Sequence, residues 1–584
     1  MQHDKEFGDL MQSVAAKSLQ FINNMKQPGN QAPAQIKQFM DLTNDYQALI
    51  SGLLKNPEQV WSMQMAYWQD SMSLMQDHFT HWLEGKALPI DDKRFSSDEW
   101  VNNPFFNLLS QQYLLANEHL NSLLEHIDFG EKSLSKRVRF FARQYLDALS
   151  PANFLQTNPQ LLAETLQSHG KNLLRGLQNL LTDMESGSSR LIIKMTDMDA
   201  FKPGENIAIT PGKVVFRNEM MELIQFSPST EKVHAVPLLI IPPWINKYYI
   251  LDLSQNNSYA RWIVSQGFTV FIISWVNPDE SHAQKGLSDY LTEGPQAAIE
   301  FIKQHLDVPQ VNALGFCIGG TLLTCLLALN KAHKDKSIRS ATLLATLIDF
   351  SDPGDISVFI DENQITSLEE KMNVSGFLDG NSMASTFNSL RANDLVWSFF
   401  IKNYLQGKSP VPFDILYWNA DSTNLPARMH SQYLRWMYLH NDLIKPGKIK
   451  LNKTPLDVSQ IDTPAFFVST KKDHIAPWQT TYLGFQLFKG KKQFLLGGSG
   501  HIAGIVNPPN GKKYNYYVNT STTESADEWL AHATEYPGSW WPEWVAWLKK
   551  QSKTLIDPPV IKDALMDAPG SYVMQSEQKP ADKA

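Results

Sequence analysis

Residues 311–330 read VNALGFCIGGTLLTCLLALN, and the fold turns on them. The short apolar run 311–315 predicts a strand, and the leucine-rich, small-residue stretch after Gly320 predicts a helix. Between them stands Gly315-Phe316-Cys317-Ile318-Gly319, a nucleophile with a glycine two residues to either side, of the form G-x-C-x-G. A chain that passes from strand to helix in so few residues presents the central side chain at the tip of a strained turn. Side chains at the flanking positions would collide with the neighbouring strand and helix, which is why glycine stands there. The first amides of the helix point at the same spot and favour a thiolate or a developing oxyanion. The competing reading is a buried structural cysteine. That reading suits Cys325, eight residues on and among leucines. The two sulfurs are not expected to pair: eight helical residues span roughly 12 Å, and a disulfide needs Cα atoms within about 7 Å.

On either side of this stretch, strands alternate with helices. Residues 238–241 are followed by the loop PPWINKYYILDL and a helical SYARWIVSQ; 268–274 by a helix near 294–306; 340–347 is the next strand. This alternation predicts a largely parallel sheet. Upstream, 191–193, 207–209, 214–216 and 220–226 are short strand-like runs separated by Gly and Pro, an antiparallel lead-in. Downstream the alternation stops for about a hundred residues, 349–446, rich in aromatics, and resumes with strands at 465–468 and 492–496. An insertion between two parallel strands falls naturally over their carboxyl ends, where ligands bind, so a cap is expected there. The tail carries Trp540, Trp541, Trp544 and Trp547 as an aromatic helical cluster.

Residues 1 to about 190 read as helical. Trp61, Met65, Trp68, Met72, Met75, Phe79 and Trp82 step by fours and threes. Such a stripe is expected to be core or a dimer contact; its Trp and Met content also suits an irregular hydrophobic particle. The net charge of −8 supplies no basic footprint for nucleic acid. No apolar run reaches the roughly 18 residues of a membrane span, and the N-terminus lacks the basic-then-apolar order of a signal peptide. With only two cysteines in 584 residues, a reducing compartment is expected. The expected organisation is a helical N-terminal domain over 1–194 and an α/β-hydrolase catalytic domain over 195–584, with the cap insertion at about 349–446.

An activated nucleophile needs a base, and the base an orienting group. In the α/β-hydrolase arrangement they follow in the order nucleophile, acid, histidine, each from a loop after a strand. After 465–470 comes KKDHIAPW, with Asp473 and His474; after 492–496 comes GGSGHIAG, with His501. Cys317, Asp473 and His501 are thus the candidate catalytic set. The backbone amides of Ile318 and, from the loop after 238–241, Ile245 are the candidate oxyanion donors. His474, Asn246 and Trp418 are candidate substrate contacts. No metal is expected. A thiolate that attacks a thioester exchanges one thioester for another at little free-energy cost, so the acyl-enzyme stays reactive toward a later alcohol; this favours acyl transfer from a carrier thiol over hydrolysis.

PPWINKYYILDL, GFCIGG, FSDPGD, FDILYWNADSTNLP, KKDHIAPW, GSGHIAGIVNPP and SWWPEW together make the chain, from about Arg137 to about Tyr572, resemble the class I polyhydroxyalkanoate synthases. The resemblance implies Cys317 as nucleophile with Asp473 and His501 as its partners. It implies a short-chain (R)-3-hydroxyacyl-CoA as substrate, with CoA as leaving group and no separate cofactor. It also implies a cytoplasmic enzyme at polyester granules, working as a homodimer, with the N-terminal stripe and the tail at the granule surface. The alternatives are a cysteine esterase, thioesterase or depolymerase on the same fold, and a granule-coating protein with an inactive hydrolase domain.

Overall fold

The computed structural model describes residues 47–186, 191–511, 513–522 and 525–575; the helical reading of 1–46 lies outside them. The chain forms two compact units.

The first unit comprises residues up to Asp197 together with Asn388–Val411. Its main helices are α1 (Pro57–Leu83), α2 (Pro104–His126), α3 (Lys132–Ala148) and α4 (Lys171–Ser186). Helix α1 is inside out. Trp61, Met65, Trp68, Met72, Met75, Phe79 and Trp82 are all exposed, and the helix's buried residue is Ser71. The polar side packs on α2: Ser71 Oγ donates to Gln112 Oε1 at 3.0 Å, and His119 bonds Asp70 at 2.9 Å. Among the described residues the stripe is therefore not core, because a polar face with specific partners holds the helix down instead.

The expected cap insertion is divided. Asn388–Val411 belongs to the helical unit rather than to the catalytic one, and polar contacts there explain why. Tyr404 Oη donates to the buried Asp183 at 2.7 Å, and Asn172 and Asn179 donate to the carbonyls of Leu405 and Asn403 at 2.9 and 3.0 Å. A Cβ on Gly176 would lie 1.8 Å from the Tyr404 carbonyl oxygen, so only glycine lets the two backbones meet there.

The second unit, Met198–Phe387 and Pro412 onward, is built on a 12-stranded sheet. Its strands are β1 (Gly212–Arg217), β2 (Met221–Phe226), β3 (Val233–Ile241), β4 (Phe268–Trp275), β5 (Val311–Phe316), β6 (Ile338–Leu344), β7 (Ala465–Thr470), β8 (Lys492–Gly497), β9 (Asn515–Asn519), β10 (Thr534–Pro537), β11 (Leu555–Ile556) and β12 (Met566–Asp567). The order is β10-β9-β8-β7-β6-β5-β3-β4-β2-β1-β12, with β11 paired to β3. The six central strands, β4 to β8 with β3, are parallel; both ends are antiparallel. The expected strands at 191–193 and 207–209 are absent: Leu191 and Ile192 are exposed, and the Ala208 amide donates to Asp252 across a turn with φ +53°.

The central strands are mostly apolar because both faces are covered. Leu239, Ile241, Ala313 and Leu343 face one core; Leu238, Ile240, Leu314 and Leu344 face the other. The elbow helix α5 (Ile318–His333) buries Leu322, Leu323, Cys325 and Leu326 in the first. Helix α6 (Trp541–Gln551) and Trp540 before it fill the second. Burial pushes the Cys325 thiol up to about 12, as befits a packing residue. The Trp cluster of the tail is thus interior, not a granule-facing surface. After β3 the chain moves to β4 on one side and then to β5 on the other, so the loops after β3 and β5 diverge around a topological switch point.

A Cβ on Gly319 would stand 2.2 Å from the Ile241 carbonyl and 2.8 Å from that of Pro242, backbone on both counts. Gly319→Ala is therefore expected to cost about 3 kcal/mol, the upper end for overpacking, read as a lowered urea midpoint at unchanged slope. A wild-type midpoint would show that the elbow and the β3 loop can separate freely.

Candidate active site

Strand β5 hands the chain to Cys317, whose φ of 52° and ψ of −123° place a non-glycine residue in a strained turn. Three contacts hold it there. The Cys317 amide donates to Leu344 O at the end of β6 (2.9 Å), and Gly320 N donates back to Cys317 O (2.9 Å). A Cβ on Gly315 would meet Gly320 Cα at 2.5 Å, so strand and helix touch backbone to backbone. Cys317 is half-buried and unpaired. The Ile318 amide opens the helix, where a first-turn N–H has no acceptor of its own along the helix.

The loop after β7 brings Asp473. Its side chain is enclosed and accepts from four donors: Ile475 N (2.9 Å), Ala476 N (2.8 Å), Thr470 Oγ1 (3.2 Å) and His501 Nδ1 (2.7 Å). So many donors lock its orientation. A carboxylate only accepts, so His501 carries its proton on Nδ1 and turns Nε2 away from Asp473. The imidazole lies within electrostatic reach of the Cys317 side chain and stacks on Phe316 with ring centroids 5.6 Å apart. Burial alone would depress the imidazolium; the negative charges of Asp473 and Cys317 outweigh it and hold His501 well above its ordinary value.

The His501 loop is anchored from the tail. Trp540 Nε1 donates to Gly504 O (2.8 Å) and Trp541 Nε1 to Ile505 O (2.9 Å), both from the fully buried cluster. The sequence marks these tryptophans only as an aromatic cluster. Their nearness to the histidine loop comes from α6 lying on the sheet beneath it.

The loop after β3 is held carbonyl by carbonyl. Trp275 Nε1 donates to Pro242 O (3.0 Å), Thr423 Oγ1 to Trp244 O (2.7 Å) and Trp418 Nε1 to Lys247 O (2.7 Å). In a trans peptide the N–H points opposite to the C=O, so fixing the Trp244 carbonyl also fixes the direction of the Ile245 amide. Asn246 and Trp418 are brought together with each other: Asn246 Nδ2 reaches Trp418 O at 3.4 Å, and Trp418 is buried. Their hydrogen bonds serve the loop. His474 stands half-buried beside Asp473.

Two tyrosines of the insertion were not visible as site residues in the sequence. Tyr433 Oη donates to Thr321 Oγ1 in the first turn of α5 (3.5 Å), and its ring lies 5.9 Å from that of Tyr438. Burial first, and then the charges around it including that of Cys317, raise the Tyr433 phenol well above its usual value, so it is a donor. Tyr438 also lies within electrostatic reach of Cys317. Among the described residues, no group of three or more His, Cys, Asp or Glu side chains is arranged to hold a metal ion.

The geometry can do acyl transfer: a thiol on a strained elbow, an imidazole within electrostatic reach of it, a carboxylate bonded to the imidazole, and the helix-opening Ile318 amide beside the sulfur's turn. Residues 91–263 match the family described as "Poly-beta-hydroxybutyrate polymerase (PhaC) N-terminus", and residues 238–508 match "alpha/beta hydrolase fold". The chain is 44% identical to a poly(3-hydroxyalkanoate) polymerase of Methylorubrum extorquens, over 89% of this chain and 87% of that one. It is 45% identical to a poly(3-hydroxyalkanoate) polymerase subunit PhaC of Rhizobium meliloti, over 83% and 80%. A third relative, of Cupriavidus necator, is 41% identical over 90% of both chains.

Two outcomes follow from the His501 environment. Asp473→Asn removes the charge that offsets burial, so His501 should titrate lower by histidine NMR and turnover should fall by about 10²- to 10⁴-fold. The folded value of His501 lies above the unfolded value of about 6.5. Its contribution to stability is then fully present below about pH 6.5 and lost as pH rises through the folded value. The stability gap between wild type and His501→Gln should narrow with rising pH; a gap that widens would contradict the assignment.

Proposed function

Because this chain belongs to the poly(3-hydroxyalkanoate) polymerase family and makes polyester, we propose that Cys317 carries the growing polymer as a thioester, with His501 and Asp473 as its proton-handling partners. The observation that carries this is the Asp473–His501 hydrogen bond with Cys317 within electrostatic reach of that imidazole on a strained elbow. The substrate is an (R)-3-hydroxyacyl-CoA. The Cys317 sulfur attacks its thioester carbon after giving its proton to His501 Nε2. The oxyanion that forms lies against the Ile318 amide and, across the switch point, that of Ile245. On collapse the C–S bond to CoA breaks and the CoA sulfur leaves with the proton from His501. The hydroxyl of a second 3-hydroxyacyl-CoA then attacks the acyl thioester on Cys317 while His501 takes its proton. The C–S bond to Cys317 breaks and the sulfur leaves with that proton. The chain, one unit longer and now on CoA, returns to Cys317 by the first step. Asp473 stabilises the imidazolium in both steps. His474 lines the pocket beside Asp473.

The family makes a water-insoluble product, and the exposed aromatic face of α1 supports a second part of the reading: this face meets the granule surface in the cytoplasm, or the other copy of a homodimer. Its seven large apolar side chains lie on one side of a single helix, which is ample for either contact.

Given 3-hydroxybutyryl-CoA, purified protein is expected to release CoA and form polymer, with an acyl group recoverable on Cys317 in a quenched reaction. Free 3-hydroxybutyrate as the sole product would mark a thioesterase instead. Cys317→Ala should lower CoA release by about 10³-fold or more. Replacing Trp61, Trp68 and Trp82 together with serine should leave the folded unit intact, since these side chains are exposed. The granule-bound fraction or the dimer fraction in sedimentation should drop several-fold; no change in either would refute the role of α1.

A further inference from the structure

Lys247 is a lysine where the fold has no need of one. Its side chain is only 4% exposed, and its ammonium is spent on three acceptors: Asp421 Oδ1 at 3.0 Å, Val573 O at 2.7 Å and Gln575 O at 2.6 Å. An ammonium has three donors, so none is left for a substrate phosphate. Asp421 is itself held by Tyr249 Oη at 2.7 Å. A buried ion pair of this type is seldom more stabilising than apolar groups of the same volume. What it does well is fix geometry, and the three chain segments that it ties together are far apart in sequence.

One of these segments is the C-terminal strap, residues 566–575. It pairs with β1 through Met566 and Asp567. The fully buried carboxylate of Glu222 on β2 then accepts from Ser571 N (2.9 Å) and Tyr572 N (3.0 Å), and Tyr572 Oη donates to Asn218 O (2.7 Å). The strap is thus pinned to the sheet before its last carbonyls receive Lys247. The other segment is the part of the insertion around 418–423, which holds the β3 loop through Trp418 and Thr423. Lys247 is two residues beyond Ile245 and closes the far end of that loop.

We infer that Lys247 is a positioning residue for acyl transfer: by joining the C-terminal strap and Asp421 to the end of the β3 loop, it holds the Ile245 amide in place for the oxyanion. The inference rests on Cys317 acting as the nucleophile and Ile245 as a donor. It makes the strap part of the active-site scaffold although no strap residue is needed to touch substrate.

The test separates two reactions of the same sulfur in the full-length protein. Alkylation of Cys317 by iodoacetamide needs the thiolate but forms no oxyanion. The first stoichiometric release of CoA from 3-hydroxybutyryl-CoA needs both. For Lys247→Met the alkylation rate should stay within about twofold of wild type, while CoA release slows by about tenfold or more with KM changed less than about threefold. Lys247→Arg should recover part of the loss. If Lys247→Met does not fold, Asp421→Asn should show the same split at a few-fold. Equal losses in both reactions, or no loss in either, overturn the inference. Undiminished CoA release after complete alkylation of Cys317 in the wild type would instead overturn the nucleophile assignment on which it stands.

Discussion

The contact between Gly319 and the carbonyl of Ile241 is the constraint on which the site depends. There the elbow helix lies directly against the start of the β3 loop, closer than any side chain permits. It sets how closely the elbow that carries Cys317 approaches the loop after β3. The same closeness at Gly315 and Gly320 leaves Cys317 in a backbone conformation that a free chain would avoid. The strain is tolerated because β5 and β6 are packed on both faces and cannot relax around it. Acid and base then arrive from the next two parallel strands, β7 and β8, each in the loop at its carboxyl end.

Around this centre, the parts that look accessory do positional work. The tail tryptophans pack into the core and hold the His501 loop by two indole hydrogen bonds. The insertion sets Tyr433 against the first turn of the elbow helix, and Trp418 and Thr423 clamp the β3 loop. The C-terminal strap reaches the same loop through Lys247. The β3 loop and the His501 loop are therefore fixed by segments outside the parallel strands, a division of labour between chemistry and support.

Periodicity shows that a face exists without saying what covers it. The stripe from Trp61 to Trp82 has helical spacing, and the helix is there. Yet Ser71 points inward and the aromatics point out, with Ser71 and the exposed Asp70 bonded to polar partners on α2. The tryptophans at 540–547 have the same composition and the opposite fate, since a sheet face awaits them. The insertion was legible as a break in β-α alternation. That Asn388–Val411 would leave it for the helical unit was not, because the deciding contacts join Tyr404 to Asp183 and Asn172 to Leu405 across more than two hundred residues.

What the sequence determined by itself is what short-range sterics can encode: the G-x-C-x-G turn between strand and helix, the parallel alternation, and the order of nucleophile, acid and histidine after strand ends. Motif spacing suffices there because a strand delivers its following loop to one edge of the sheet whatever the rest does. The tertiary structure decided which amides and carbonyls the loops expose, which aromatics are interior, and that a buried lysine would find Asp421 and the last described carbonyls of the chain. The contacts of the β3 loop with the insertion and the strap join segments separated by 171 to 328 residues, and no local pattern records such a meeting.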